Sequence, residues 1–380
     1  MRKIHLLALG SLLFAAPLAA QSWYPAFGVS AGLTRFRLTG TKGAGGTFDQ
    51  FDVPGSSLLS ILPAPGALFA IIPVADKVAL EPTLGLQQVT ISGAAGGVPA
   101  SVIGLGLRGD YALTNHIYGA AGIQAGYIER TPAVAFSGTS LGLQLAAGYR
   151  FALTSRLDGR VEAQATTFKK TDFTPPYNAY SLLFGLSTRL EGSRAPARGS
   201  ARSEAPAGDW QPMIGVTGGY THSHVNHGPD ITAFSLPSLG GSGAVGAILA
   251  PTAPSLFVIL PVGGRWAFET GADFHQLRSD GLTLSSFQLA PRMDFAVGPH
   301  WYAAAGPEAH FLRIKQGPGA SKTQGIVGLA AAWGIRFHVA GALAGRIELG
   351  FGSGKVRKNV PAPSAVNSLS INFGATMPLK

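Results

Sequence analysis

The side chains best placed for metal chemistry in this chain are three histidines in the string "HSHVNH": His222, His224 and His227. Alternate residues of an extended segment share a face, so His222 and His224 could offer two imidazoles to one metal ion. The plainer reading is a polar strand rim, and no metal is expected. Several strings match catalytic motifs but lack their context. "GLGLRG" from Gly104 has the spacing of a dinucleotide-binding turn, yet it lies inside an alternating run with no strand–helix unit around it. "GVSAG" from Gly28 and "GTSLG" from Gly138 match the string around a nucleophilic serine, but neither sits on a strand-to-helix turn. "GPGASKT" from Gly317 has Ser where a phosphate-binding loop needs its second Gly. With 52 Gly in the chain, composition alone accounts for such matches. Zero Cys excludes a thiolate nucleophile, a thiolate zinc site and a disulfide framework. No catalytic residue and no cofactor is expected.

A second set of reactive side chains is charged, and it occurs twice. Glu81, Arg108, Asp110, Arg150, Arg160 and Glu162 return as Glu269, Arg292, Asp294, Arg336, Arg346 and Glu348 because the chain itself is duplicated. "LFAIIPVADKVALE" from Leu68 matches "LFVILPVGGRWAFE" from Leu256, and "RGDYALTNHIYGAAG" from Arg108 matches "RMDFAVGPHWYAAAG" from Arg292. "GYRFALTSRLDGRVE" from Gly148 becomes "GIRFHVAGALAGRIE" from Gly334, and the opening "SWYPAFGV" becomes "DWQPMIGV". A repeat on this scale governs the reading of the fold.

The elements carrying these charges alternate with a period of two. Ile103, Leu105, Leu107, Tyr111 and Leu113 are apolar, while Gly104, Gly106, Arg108, Asp110 and Ala112 intervene. Phe287, Leu289, Met293, Phe295 and Val297 alternate in the same way with Ser286, Gln288, Arg292 and Asp294. This pattern predicts strands with an apolar face and a small or polar face. Residues 1–20 read as a secretory signal peptide, with Arg2 and Lys3 before an apolar stretch and small residues ahead of Gln21. No later run reaches the ~18 unbroken apolar residues of a membrane-crossing helix, although 46% of residues are hydrophobic. An exported, apolar chain with alternating strands reads as all-β, a transmembrane antiparallel up-and-down β-barrel. Strands are expected near 25–39, 66–74, 78–92, 101–113, 116–130, 140–153, 157–169 and 178–190, with the count repeated in the second copy. Short turns at 75–77, 114–116 and 154–156 alternate with longer Gly/Pro/Ser-rich connections near 40–65, 93–100, 131–139 and 170–177. Tight inner turns and longer outer loops are what an outer-membrane barrel has.

On this pattern the chain resembles the small outer-membrane barrels typified by the OmpA transmembrane domain, one whole eight-stranded domain per copy. The resemblance implies a bacterial outer-membrane location. Such chains usually end in an aromatic residue, whereas here Phe373 is the last aromatic. Residues 21–191 and 209–380 are read as two barrels joined by a Pro/Ala/Ser/Arg-rich periplasmic linker, 192–208. The alternative is a single sixteen-stranded barrel. Two features favour two barrels: the length of the linker, and a charge-neutral inward cluster in each copy, which a lumen filled by side chains requires. The expected role is structural, or interaction through the outer loops with unspecified protein or glycan partners, without catalysis. A sixteen-stranded channel for small solutes and a lipid-modifying enzyme stand as the alternatives.

The formal net charge is +10. Basic residues collect at the expected outer strand ends: Arg35, Arg37, Lys169, Lys170, Arg313, Lys315, Lys355, Arg357 and Lys358. Export and the lack of a nucleic-acid-binding module argue against nucleic acid, so the expected partners are outer-membrane lipid and lipopolysaccharide phosphates. Replacing Lys355, Arg357 and Lys358 with Gln should weaken lipopolysaccharide association at low salt, and added salt should erase the difference, since exposed charges are screened beyond about 8–10 Å. Equal low-salt binding by the two forms, measured by surface plasmon resonance, would remove the basic rim from consideration.

Overall fold

The structure, a computed structural model, describes residues 23–38, 47–52, 68–92, 98–130, 136–154, 156–169, 176–190, 210–226, 230–238, 256–279, 282–317, 321–340, 343–357 and 365–379. The expected signal peptide, the linker 192–208, His227, Lys170 and Lys358 lie outside the described residues. All the elements among the described residues are strands. The first copy comprises β1 (Ala26–Leu38), β2 (Thr47–Asp52), β3 (Leu68–Ala75), β4 (Val78–Ser92), β5 (Val98–Ala112), β6 (Ile117–Arg130), β7 (Phe136–Ala152), β8 (Leu157–Phe168) and β9 (Tyr177–Arg189). The second comprises β10 (Met213–Val225), β11 (Asp230–Ser238), β12 (Leu256–Gly263), β13 (Trp266–Ser279), β14 (Leu282–Ala296), β15 (Trp301–Gln316), β16 (Lys322–Ala340), β17 (Leu343–Arg357) and β18 (Ala365–Pro378).

Each copy closes on itself as an antiparallel eight-stranded barrel. β1 pairs along its whole length with β9, from Ala26↔Arg189 to Leu38↔Tyr177, and the turn-side end of β1 pairs with β3. β10 repeats this with β18 and β12. The turns have local causes. Thr114 Oγ1 accepts from the backbone N–H groups of His116 and Ile117, and Thr154 Oγ1 from those of Arg156 and Leu157. The β12–β13 turn uses Gly263 and Gly264 at φ 144° and 53°, a region closed to most side chains.

Apolar residues of outward parity face the membrane: Leu143 and Leu329 are 66% and 69% exposed, while inward neighbours such as Gln144 are buried. Tyr111, Tyr149, Trp266, Trp301 and Trp333 form an exposed belt near the turn side, where amphipathic rings suit the membrane boundary. A few outward residues are covered instead. Leu157 and Leu186 of the first barrel cluster with Leu343, Met377, Ile214 and Ala375 of the second. The barrels therefore pack side by side through the turn-side ends of β8–β9 and β17–β18–β10.

The second strand of each copy departs from the sequence expectation. Residues 40–65 read as one long loop, but Thr47–Asp52 form β2, which pairs with β1 on one edge and with β13 of the other barrel on the second. β11 mirrors it, lying between β10 and β4. The turn-side halves are thus two separate eight-stranded rings. The loop-side halves join, through β2 and β11, into one ring of sixteen strands.

A cysteine-free chain makes this exchange directly testable. Val89→Cys with Ala233→Cys, and Gln50→Cys with Leu277→Cys, should oxidise to cross-links between the copies. The cross-linked halves should stay together after cleavage at a protease site inserted in residues 192–208. Failure of both pairs, while the within-barrel control Leu105→Cys/Ala125→Cys oxidises, would contradict the exchange.

Candidate functional site: the charged lumens

The inward residues of β4, β5 and β8 meet at one level of the first barrel. Arg108 on β5 reaches across the lumen and donates from Nη1 and Nη2 to Oε1 and Oε2 of Glu162 on β8, both at 2.6 Å. Its Nη2 lies 2.9 Å from Glu81 and its Nε 3.0 Å from Asp110. Arg160 donates to Glu81 at 2.5 Å, and Tyr118 Oη donates to Glu162 at 2.6 Å. Glu81 and Glu162 are fully buried and Arg108 is nearly so. A fork-to-fork guanidinium–carboxylate contact carries both charge and geometry, which repays the desolvation that a lone ion could not.

The second barrel rebuilds this layer with equivalent residues. Arg292 holds Glu348 at 2.7 and 2.8 Å, approaches Glu269 at 2.9 Å and lies 3.3 Å from Asp294. Arg346 donates to Glu269 at 2.7 Å and approaches Glu348 at 3.0 Å, and Tyr302 Oη donates to Glu348 at 2.8 Å.

The remaining two arginines of the expected clusters behave differently. Arg150 stacks over the Trp23 ring at 4.3 Å, and Arg336 over Trp210 at 3.8 Å. They sit at the turn-side floor, where the indoles close the lumen. Trp23 Nε1 donates to the Lys77 carbonyl and Trp210 Nε1 to that of Arg265. Trp23 packs edge-on to Tyr118 at 5.8 Å, as Trp210 does to Tyr302 at 5.7 Å. Gly148 and Gly334 lie directly beneath these tyrosine rings, and a Cβ at either would collide with them. Sequence reasoning did not single out Trp23, Tyr118 or Phe69, over whose ring Arg160 stacks at 3.6 Å, or their counterparts Trp210, Tyr302 and Phe257, over whose ring Arg346 stacks at 3.7 Å. The available signal was their identity between copies at inward-facing positions.

Above the ions the first lumen is packed. Gln164 Nε2 donates to Thr166 Oγ1 at 3.0 Å, which donates to Gln124 Oε1 at 3.5 Å. Phe36, Phe168, Tyr177 and Ala179 then fill the bore, with Phe168 stacked on Tyr177 at 4.4 Å. At the outer rim, His222 Nδ1 shares a hydrogen bond with Thr232 Oγ1 at 3.1 Å, and His224 Nδ1 one with Asp230 Oδ1 at 2.7 Å. These histidines tie β10 to β11. Among the described residues no group of three His, Cys, Asp or Glu side chains could hold a metal ion. Arg35, Arg37, Lys169, Arg313, Lys315 and Lys355 are exposed at the loop-side strand ends, and Arg357 closes β17 there.

Residues 5–189 match the family model described as outer membrane protein beta-barrel domain. Among solved structures, the chain is similar to Ail, the attachment invasion locus protein of Yersinia pestis: 10% identity over 44% of this chain and 100% of that one, TM-score 0.27. Neisserial surface protein A gives 13% identity over 43% and 99%, TM-score 0.27. A Pseudomonas aeruginosa FadL homologue gives 9% identity over 94% and 91%, TM-score 0.31. No curated protein matches this chain.

The buried fork yields a stability prediction. Glu162→Ala strips Arg108 of its two-pronged partner and Tyr118 of its acceptor, and should cost about 3–5 kcal/mol. Urea unfolding in detergent, followed at Trp23, the first copy's one tryptophan, would report it. A change within about half a kcal/mol would mean that water reaches and solvates this layer.

Proposed function

We propose that this chain, a bacterial outer-membrane β-barrel protein of the small eight-stranded kind in tandem duplicate, serves as a structural or surface-interaction component that works through its outer face without catalysis. One observation carries the reading: in both barrels a floor of Trp and Tyr and a buried, mutually paired layer of Arg, Glu and Asp span the bore. A lumen spent on its own packing has no path for solute, which leaves the loop-side surface as the working part. The basic strand ends on that surface suit phosphate groups of lipopolysaccharide, held by charge attraction at the membrane boundary. His222 and His224 hydrogen-bond to rim residues, which supports a structural role for them.

The sixteen-strand outer ring is the feature a channel would use. Beneath it both necks are filled, so the ring has no outlet. Planar-bilayer recording of the full chain should therefore give no steady porin-like current, because eight-stranded interiors are occupied by side chains while sixteen-stranded ones leave a channel. Large, steady conductance would replace this proposal with transport.

A further inference from the structure

The two lumens carry the same ion layer but are filled above it from opposite walls. In the first barrel Gly85, Gly104 and Gly126 form one row of cross-strand neighbours, and the bulk comes from Phe36, Phe168 and Tyr177 on the facing strands. In the second barrel the row of three glycines is replaced by Asp273, Gln288 and His310. The facing wall has lost its bulk in turn: Ser223, Gly354 and Val366 stand where the first copy has Phe36, Phe168 and Tyr177. One step nearer the ions, Gln124 is replaced by Glu308, Gln144 by Ala330, and Gln164 and Thr166 by Gly350 and Gly352.

These losses open a cavity of about 50 Å³ lined by Glu308, Ala330, Gly350, Gly352, Ser370 and Asn372, together with Arg292, Glu269 and Glu348 of the ion layer. A single water needs roughly 10–15 Å³ of such space, so the cavity has room for a small ion with some of its water. Toward the loops it gives way to buried Leu312, Ile326 and Val366. Glu308 is 5% exposed, lines the cavity, and its Oε1 has no hydrogen-bond partner. His310, 3.8 Å from Glu308 and also buried, has neither ring nitrogen hydrogen-bonded. The ion layer below sets Arg292 and Arg346 against Glu269, Asp294 and Glu348, so it has no cation to spare for the negative charge that Glu308 adds.

We infer that the second barrel binds one small hard cation, carrying part of its own water, in the lumen at Glu308. A buried carboxylate oxygen without a donor is stabilised by a positive charge, and the first barrel, with the neutral Gln124 at this position and Gln144, Gln164 and Thr166 beside it, has no such oxygen there. Since no three acidic, histidine or cysteine side chains converge among the described residues, the ion is not caged as a bare transition metal. An oxygen-preferring divalent cation that keeps water and takes one carboxylate fits the donors present.

Mn²⁺, an oxygen-ligated stand-in visible by electron paramagnetic resonance, provides the test. Full-length protein refolded in detergent with Mn²⁺ and then dialysed should retain about one ion per chain. Glu308→Gln, which installs the first copy's residue, should weaken retention by about tenfold or more, the effect of removing one charged ligand. Gly350→Gln, which fills the cavity from the other wall, should do the same and serves as the readout if Glu308→Gln fails to give the heat-modifiable folded band. His224→Ala, at the surface, should change nothing. Absence of retained Mn²⁺ in the wild type, or equal retention in the lumen variants, would overturn the inference; loss with His224→Ala alone would assign the ion to the rim instead.

Discussion

Closing a sheet at eight strands leaves a bore that only side chains can occupy, and the guanidinium of Arg108 in that bore has no water to fall back on. Its pairing with Glu162, Glu81 and Asp110 is therefore a condition of the ring's existence. The same condition explains why the Tyr118 hydroxyl is aimed at Glu162 and why the residue beneath its ring is Gly148. It also explains why a tryptophan from the segment before β1 is drawn in as a floor. Buried ion pairs contribute little net stability compared with an apolar filling. Their worth here lies in orientation, since a fork-to-fork contact across the lumen fixes which strands oppose one another.

Above the ions the constraint loosens from charge to volume, and the two copies satisfy it differently. Bulk on β1, β8 and β9 requires glycines on β4, β5 and β6; bulk on β13, β14 and β15 permits glycine and serine opposite. A duplicated domain can trade mass between facing walls in this way without altering its strand pairing. The second copy has filled less of the volume, and Glu308, Ser370 and Asn372 border the remaining space among alanines and glycines.

Parity and height along each strand were legible in the sequence, and from them followed the barrel, the eight-strand count and the inward placement of all the clustered charges. Angular position around the ring was not. Glu162 and Arg150 are close in the chain, but the fork on Glu162 comes from Arg108, several strands away, because partners in a narrow bore meet across it. Arg150 is drawn instead to an indole face whose place in the floor no strand pattern announces. β2 was missed for a related reason. Six residues carry too little alternation to declare a strand, and its existence depends on two edges, those of β1 and β13, that lie far apart in the chain. His222 and His224 were recognised as a pair of imidazoles, yet their partners Thr232 and Asp230 belong to β11, a strand of the same kind.

The exchange of β2 and β11 obeys a pseudo-twofold relation: the second strand of each copy pairs with the fourth strand of the other, β2 with β13 and β11 with β4. Two-fold reciprocal exchange of an identical element is the signature of a domain-swapped homodimer. The tandem chain has the form of such a dimer fused end to end. A single copy on its own retains both halves of the exchange, a strand to donate and an edge to receive one. The covalent connection consequently sets stoichiometry and concentration, turning a bimolecular encounter in the membrane into an intramolecular one, while the mutual grip of the two barrels belongs to the sheet.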